Sequence, residues 1–78
     1  MEQFNEQFKV DNETLYLSFN RIYTVDGEKF YVVVQKGRHF FPLDMRKDDA
    51  GNWKIAEPAP DWAKGLEGRL SEIIDRNI

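Results

Sequence analysis

His39 is the only histidine of the chain and the side chain best suited to proton transfer near neutral pH. Arg38 is adjacent to it in the sequence and Lys36 is nearby. Catalysis would also require a convergent acid or nucleophile, and no motif places Ser18 or Ser71 near the imidazole. We therefore interpret His39 as a turn residue and predict no catalytic residues and no enzymatic activity.

Oxygen ligands are concentrated around one loop, at Asp44, Asp48, Asp49 and Asn52. They lack the alternating spacing and the distant bidentate glutamate of a calcium-binding loop. The chain has no cysteine, so a zinc site built on thiolates is excluded. We predict a solvated loop, no metal site and no cofactor.

A third candidate is the segment that mixes basic and aromatic side chains, Lys36, Arg38, His39 and Phe40. Sheets that bind single-stranded nucleic acids combine these two residue types. The net charge of -3 opposes a general nucleic-acid or anionic-membrane binder, because such proteins need an attractive long-range field. Nucleic-acid binding by these four residues is an alternative hypothesis and not the leading one.

The composition indicates one small folded domain spanning residues 1–78, since 41% of the residues are hydrophobic and 14% aromatic. The first residues lack the layout of a signal peptide, and no apolar run approaches the roughly 20 residues that span a bilayer. Together with the absence of cysteine, this favours a soluble protein of the cytoplasm.

Charge is distributed unevenly along the chain. Residues 1–28 hold two basic and six acidic residues, residues 29–54 hold six and three, and residues 55–78 hold three and five. The middle segment is therefore basic and both ends are acidic. Such blocks can neutralise one another across neighbouring strands, and this is the interpretation we favour.

Turn signals and alternating apolar residues predict a series of hairpins. Asp26-Gly27 favours a two-residue type I′ turn that pairs Val25 with Glu28. A second turn at 36–39 predicts Val34 opposite Phe41. The remaining predicted pairs are Val10 with Leu15, Phe8 with Leu17, Met45 with Trp53, and Leu43 with Ile55. Pro42 cannot donate to a ladder, so it predicts a strand break, a bulge or an outward-facing amide.

The C-terminal part has helical periodicity. Asp61 is the predicted N-cap, and Gly65 and Gly68 suggest that the first turn is separate from a firm helix beginning near Leu66. The predicted apolar stripe contains Trp62, Leu66, Leu70, Ile73, Ile74 and Ile78. The fold class is therefore α+β, with two layers: a five-stranded antiparallel meander in chain order and one C-terminal amphipathic helix packed on one face.

One helix covers one face of such a sheet and leaves the second face uncovered. The residues predicted for that face include several apolar and aromatic ones, namely Tyr16, Ile22, Tyr31, Val33 and Phe40. A patch of this composition is typical of interface cores. Our leading hypothesis is a non-enzymatic module that binds a protein partner or a second copy through these residues, and a small-molecule-binding domain is a further alternative.

Overall fold

The computed structural model describes residues 3–78 and confirms the two-layer α+β fold. The strands form one antiparallel sheet in chain order and two helical segments follow them. Their bounds are β1 Gln3–Val10, β2 Glu13–Thr24, β3 Gly27–Lys36, β4 His39–Lys47, β5 Trp53–Ile55, α1 Asp61–Lys64 and α2 Glu67–Asn77.

The core lies between the helices and one face of the sheet. Side chains of a strand alternate between two faces, and the buried residues of β2, β3 and β4 fall on every second position. Phe30 and Trp53 meet edge to face at its centre, with ring centroids 5.1 Å apart. The buried apolar residues are Leu15, Leu17, Phe19, Phe30, Val32, Val34, Leu43, Met45, Trp53, Ile55, Ala63, Leu70, Ile73 and Ile74.

Of the four predicted registers, the structure confirms the one between β3 and β4, including Val34 opposite Phe41. The other three were wrong by two residues. The observed pairs are Phe8 with Leu15, Leu17 with Val34, and Met45 with Ile55. A shift of two preserves the alternation, so every strand still directs the predicted side chains toward the core.

The type I′ turn is at Asp11-Asn12 and not at Asp26-Gly27. Asp11 and Asn12 have φ angles of 51° and 67°, and they connect the directly paired residues Val10 and Glu13. Aspartate and asparagine tolerate this left-handed conformation better than other residues with a β-carbon. The loop therefore needs two residues, whereas the predicted pairing of Val10 with Leu15 required four.

The turn between β2 and β3 is formed by Val25 and Asp26, and it is closed by the pair Thr24 and Gly27. Gly27 supplies the positive φ, at 127°, as the first residue of β3. The Thr24 hydroxyl donates a 2.8 Å hydrogen bond to the Gly27 carbonyl. The predicted pairing of Val25 with Glu28 was wrong because the glycine follows the turn instead of lying within it.

The Asp48 carboxylate closes the loop between β4 and β5. It accepts hydrogen bonds from the amides of Ala50 and Asn52, at 3.0 and 2.9 Å. The Asp48 amide donates to the Asn52 carbonyl at 2.8 Å. These bonds keep the strands together up to the pair of Lys47 with Trp53, so Met45 lies opposite Ile55 and not opposite Trp53.

Pro42 lies inside β4, which continues without a break, and its partner is Val33. The Asp44 carbonyl accepts the Ala56 amide, so the main-chain groups at alternate positions of β4 point away from β3. Pro42 is two residues before Asp44, so its nitrogen also points away from β3. It lies beyond the end of β5. The outward-facing position, one of the three predicted outcomes, is the one observed.

The helical segments are separated at Gly65 and Leu66, as the glycine positions suggested. Pro60 is the N-cap of α1, and its carbonyl accepts the amides of Ala63 and Lys64. The prediction of Asp61 as the N-cap was wrong because the extended backbone of Pro60 already starts the helix. Ile78 follows the end of α2 and is 47% exposed, so its predicted place in the apolar stripe was also wrong.

Candidate functional site

The candidate site is the face of the sheet that points away from the helices, which we call the open face. It is formed by every second residue of each strand. No element among residues 3–78 packs over it. Its residues are Gln3, Asn5, Gln7, Lys9, Thr14, Tyr16, Ser18, Asn20, Ile22, Thr24, Lys29, Tyr31, Val33, Gln35, Phe40, Pro42, Asp44, Arg46 and Lys54.

The structure places all five predicted partner-binding residues on the open face. Phe40 and Tyr16 are the most exposed, at 64% and 50%. Ile22 and Tyr31 are exposed to 37% and 38%, and Val33 is half-buried between its neighbours. The five side chains therefore remain accessible to a partner.

Cross-strand pairing brings these residues into adjacent rows. One row contains Gln7, Tyr16, Gln35 and Phe40, and the next contains Asn5, Ser18, Val33 and Pro42. A third row contains Asn20, Tyr31 and Asp44, and a fourth contains Ile22, Lys29, Arg46 and Lys54. Aromatic and aliphatic side chains thus form a diagonal band across the sheet, which consists of Tyr16, Ile22, Tyr31, Val33 and Phe40. Amide side chains alternate with them.

A groove of about 550 Å³ lies along the first two rows. Tyr16, Val33 and Phe40 supply its apolar surface, and Asn5 and Gln35 contribute amides. Apolar walls with a few amide donors and acceptors suit the side chains and main chain of a polypeptide. The groove is partly open to solvent, whereas small-molecule sites enclose most of the ligand surface.

Part of the polar surface beside the groove is already ordered by side-chain hydrogen bonds. The Ser18 hydroxyl accepts from the amides of Asn20 and Gln3, at 3.4 and 3.5 Å. Asn20 also donates to the Tyr31 carbonyl at 3.3 Å. These contacts link neighbouring side chains in the middle of the open face.

The open face is basic although the chain is acidic. Within residues 3–78 it carries Lys9, Lys29, Arg46 and Lys54 and a single acidic residue, Asp44, a formal charge of +3 that falls to +2 when the pairing of Lys54 with Glu67 is counted, against -3 for the whole chain. Lys29 lies 3.6 Å from the Asp44 carboxylate, and Lys54 lies 3.4 Å from Glu67 of α2. Within residues 3–78, Arg46 has no ion-pair partner.

The four residues of the nucleic-acid hypothesis are not brought together on one face. Lys36 and His39 are directly paired and point to the helix side, where the Lys36 ammonium lies 4.9 Å from the centre of the Trp62 ring. Phe40 points to the open face, and Arg38 lies in the turn. A single-stranded nucleic acid would have to contact both sides of the sheet to reach all four.

Several residues considered for catalysis and metal binding make contacts within the fold. The Ser71 hydroxyl accepts the Trp53 amide at 3.3 Å, and Asp48 closes its own loop. His39 begins β4, with its ring 6.2 Å from that of Phe41. In the part of the chain that the structure describes, no group of three or more histidine, aspartate or glutamate side chains could hold a metal ion.

Comparison of the chain with known protein families, with curated proteins and with solved structures finds no match. Neither helical segment between residues 3 and 78 is long and apolar enough to cross a membrane.

Sequence reasoning missed the positive charge of this face. The basic block at residues 29–54 was visible, but its interpretation as a neutralised surface treated both faces together. Lys29, Arg46 and Lys54 alternate with helix-side residues, and once the strands are paired they lie in one row. Sorting the charged residues by strand parity would have revealed the asymmetry.

Proposed function

We propose that the protein is a non-catalytic interaction module that binds a protein partner through the open face. The supporting observation is the uncovered band of Tyr16, Tyr31, Val33 and Phe40 beside a groove of about 550 Å³. Exposed tyrosine and phenylalanine side chains, surrounded by amides, have the composition of interface centres. Lack of cysteine supports a reducing compartment such as the cytoplasm as the site of action.

The charge of the open face indicates the chemistry of the partner. Two copies stacked through this face would bring two surfaces of formal charge +3 together, which disfavours that arrangement. An acidic surface with apolar or aromatic side chains at its centre would complement both the band and the basic side chains around it. We therefore assign the open face to a different protein with an acidic contact surface.

A polypeptide is favoured over a nucleic acid because the basic side chains of the open face do not form a continuous track. Lys9 lies near one end of the strands and Arg46 near the other, about 27 Å apart along β2 at the rise of a strand. The surface between them is apolar and amide-bearing. Nucleic acids carry a phosphate at every nucleotide and bind grooves that are basic along their length.

The proposal can be tested by selecting short random peptides, displayed on phage, that bind the immobilised chain. Selected peptides should be rich in aspartate and glutamate beside aromatic or aliphatic residues. Phe40→Ser should weaken their binding by about tenfold or more, as expected for loss of a central aromatic contact. Tyr23→Ser is the matched control, since Tyr23 is 63% exposed and lies on the helix-side face.

Charge variants separate electrostatic attraction to this face from attraction to the whole chain. Lys9→Glu with Arg46→Glu alters the open face, whereas Lys47→Glu with Arg76→Glu makes the same change in net charge on the helix side. Only the first pair of changes should weaken binding of the selected peptides. The proposal would be overturned if both pairs of changes weakened peptide binding equally, or if the selected peptides lacked acidic residues. It would also be overturned if oligothymidine bound the open face more tightly than the peptides do.

A further inference from the structure

The outer edge of β1 is a long strand edge without a partner among residues 3–78. The strand has eight residues, pairs with β2 on one side only, and contains neither a proline nor a bulge. The opposite edge, β5, is only three residues long and is followed by a proline-containing segment. Long regular edges readily accept another strand, because their amides and carbonyls are already aligned for pairing.

The position of the turn determines which main-chain groups of β1 face outward. Val10 and Glu13 flank a two-residue turn and therefore form a hydrogen-bonded pair. Pairs of this type alternate along an antiparallel ladder, so Phe8, Glu6 and Phe4 also bond inward to β2. The outward amides and carbonyls belong to the remaining residues, Gln3, Asn5, Gln7 and Lys9.

We propose that the β1 strand of a second copy of the chain pairs antiparallel with this edge. The two-fold axis lies midway between Gln7 of one copy and Gln7 of the other. A two-fold arrangement requires identical surfaces to meet, and the outward groups of β1 satisfy that requirement. In this register Gln7 lies opposite Gln7 of the second copy, and Asn5 lies opposite its Lys9. A two-fold axis through Glu6 would bring two carboxylates directly opposite each other, which is destabilising.

The helix side of the sheet supports the same register. Glu6 would lie opposite Phe8 of the second copy, and the Arg69 guanidinium lies over the Phe8 ring at 4.7 Å from its centre. The pairing therefore brings an acidic side chain to a basic one at each of two symmetric positions. Phe4 would lie opposite Val10 of the second copy, and both are only half-buried in the monomer.

The dimer would have a continuous ten-stranded sheet with two open faces side by side. Asn5 and Gln7 border the groove and lie on the joining strand, so the two grooves would meet at the axis. A partner with two acidic segments could then occupy both, which raises its overall affinity without new contacts. The self-association is independent of the proposed partner-binding function, since it uses main-chain groups of β1 and not the band on the open face.

Disulfide trapping tests the register, because the chain has no cysteine of its own. In the proposed dimer the two Cα atoms of residue 7 are about 5.5 Å apart, within the range of a disulfide. Gln7→Cys should therefore give a covalent dimer as the main species under mild oxidation. Asn5→Cys alone should give no covalent dimer, since its two copies would be roughly 13 Å apart, while Asn5→Cys combined with Lys9→Cys should cross-link.

Sedimentation equilibrium of the unmodified chain should show a mass that rises toward the dimer with concentration. Glu6→Arg or Arg69→Glu should weaken the dimer about tenfold, and the two changes together should restore it. A constant monomer mass, or equal cross-linking of Gln7→Cys and Asn5→Cys, would overturn this inference. Neither result would alter peptide selection by the open face, so the two proposals fail separately.

Discussion

The Glu67 carboxylate accepts a 2.8 Å hydrogen bond from the Ile55 amide and so connects the first turn of α2 to the edge strand β5. Its other oxygen lies 3.4 Å from the Lys54 ammonium. The Ser71 hydroxyl, one turn later, accepts the Trp53 amide. The helix thus supplies acceptors for the outer amides of a strand that is only three residues long.

Glu67→Ala should lower the free energy of unfolding by about 1 to 2 kcal/mol, because the Ile55 amide loses a charged acceptor in a partly buried place. Glu67→Gln retains an amide oxygen and should recover part of the loss. Urea denaturation followed by tryptophan fluorescence measures both. Glu72→Ala, at an exposed position of the same helix, is the control and should change stability by less than about 0.5 kcal/mol.

Asn12→Ala should destabilise the chain by about 1 kcal/mol, because alanine is strained at the left-handed φ of 67°. Asn12→Gly should be neutral or stabilising, since glycine adopts that conformation without strain. Asp26→Ala is the matched turn control, at a position without a positive φ, and should have little effect. Equal losses at positions 12 and 26 would contradict the assignment of the type I′ turn.

Side-chain alternation explains why the two faces were predictable while three registers were not. A shift of two residues leaves Leu17, Phe19 and Val32 on the core side, so the apolar pattern cannot distinguish the predicted pairing from the observed one. Backbone conformation at the turns makes the difference. Asp11 and Asn12 form the type I′ turn although Asp26-Gly27 carries the stronger sequence signal for it.

The candidate site was predictable to the same extent. Parity alone places Tyr16, Tyr31 and Phe40 on the face without a helix, and the structure leaves them exposed. The alternation of side chains also places Phe40 on the opposite face of the sheet from Lys36 and His39. That separation is easily overlooked because the residues are close together in the sequence. The groove and the charged row depend on which residues of different strands are neighbours, and this requires the register.

Phe30 and Tyr31 offer a direct comparison of the two faces, since they are adjacent in sequence and point to opposite sides of β3. Phe30 is fully buried against Trp53, so Phe30→Ala should cost about 3 to 5 kcal/mol. Tyr31 is 38% exposed, and Tyr31→Ala should cost about 1 kcal/mol or less. Thermal and urea unfolding report both, and similar losses would contradict the observed orientation of β3.

Asp44 is the one acidic residue of the open face within residues 3–78, and it lies 3.6 Å from the Lys29 ammonium. Asp44→Asn removes that negative charge and releases Lys29 from its ion pair, so the formal charge of the face rises by one. Acidic peptides selected on the chain should then bind about two- to fivefold more tightly, the equivalent of a surface ion pair. Isothermal titration calorimetry at low and high salt measures the gain, which should shrink as salt screens the charges. Asp75→Asn makes the same change in net charge on α2 and should leave the affinity unaltered, because the attraction arises from the open face.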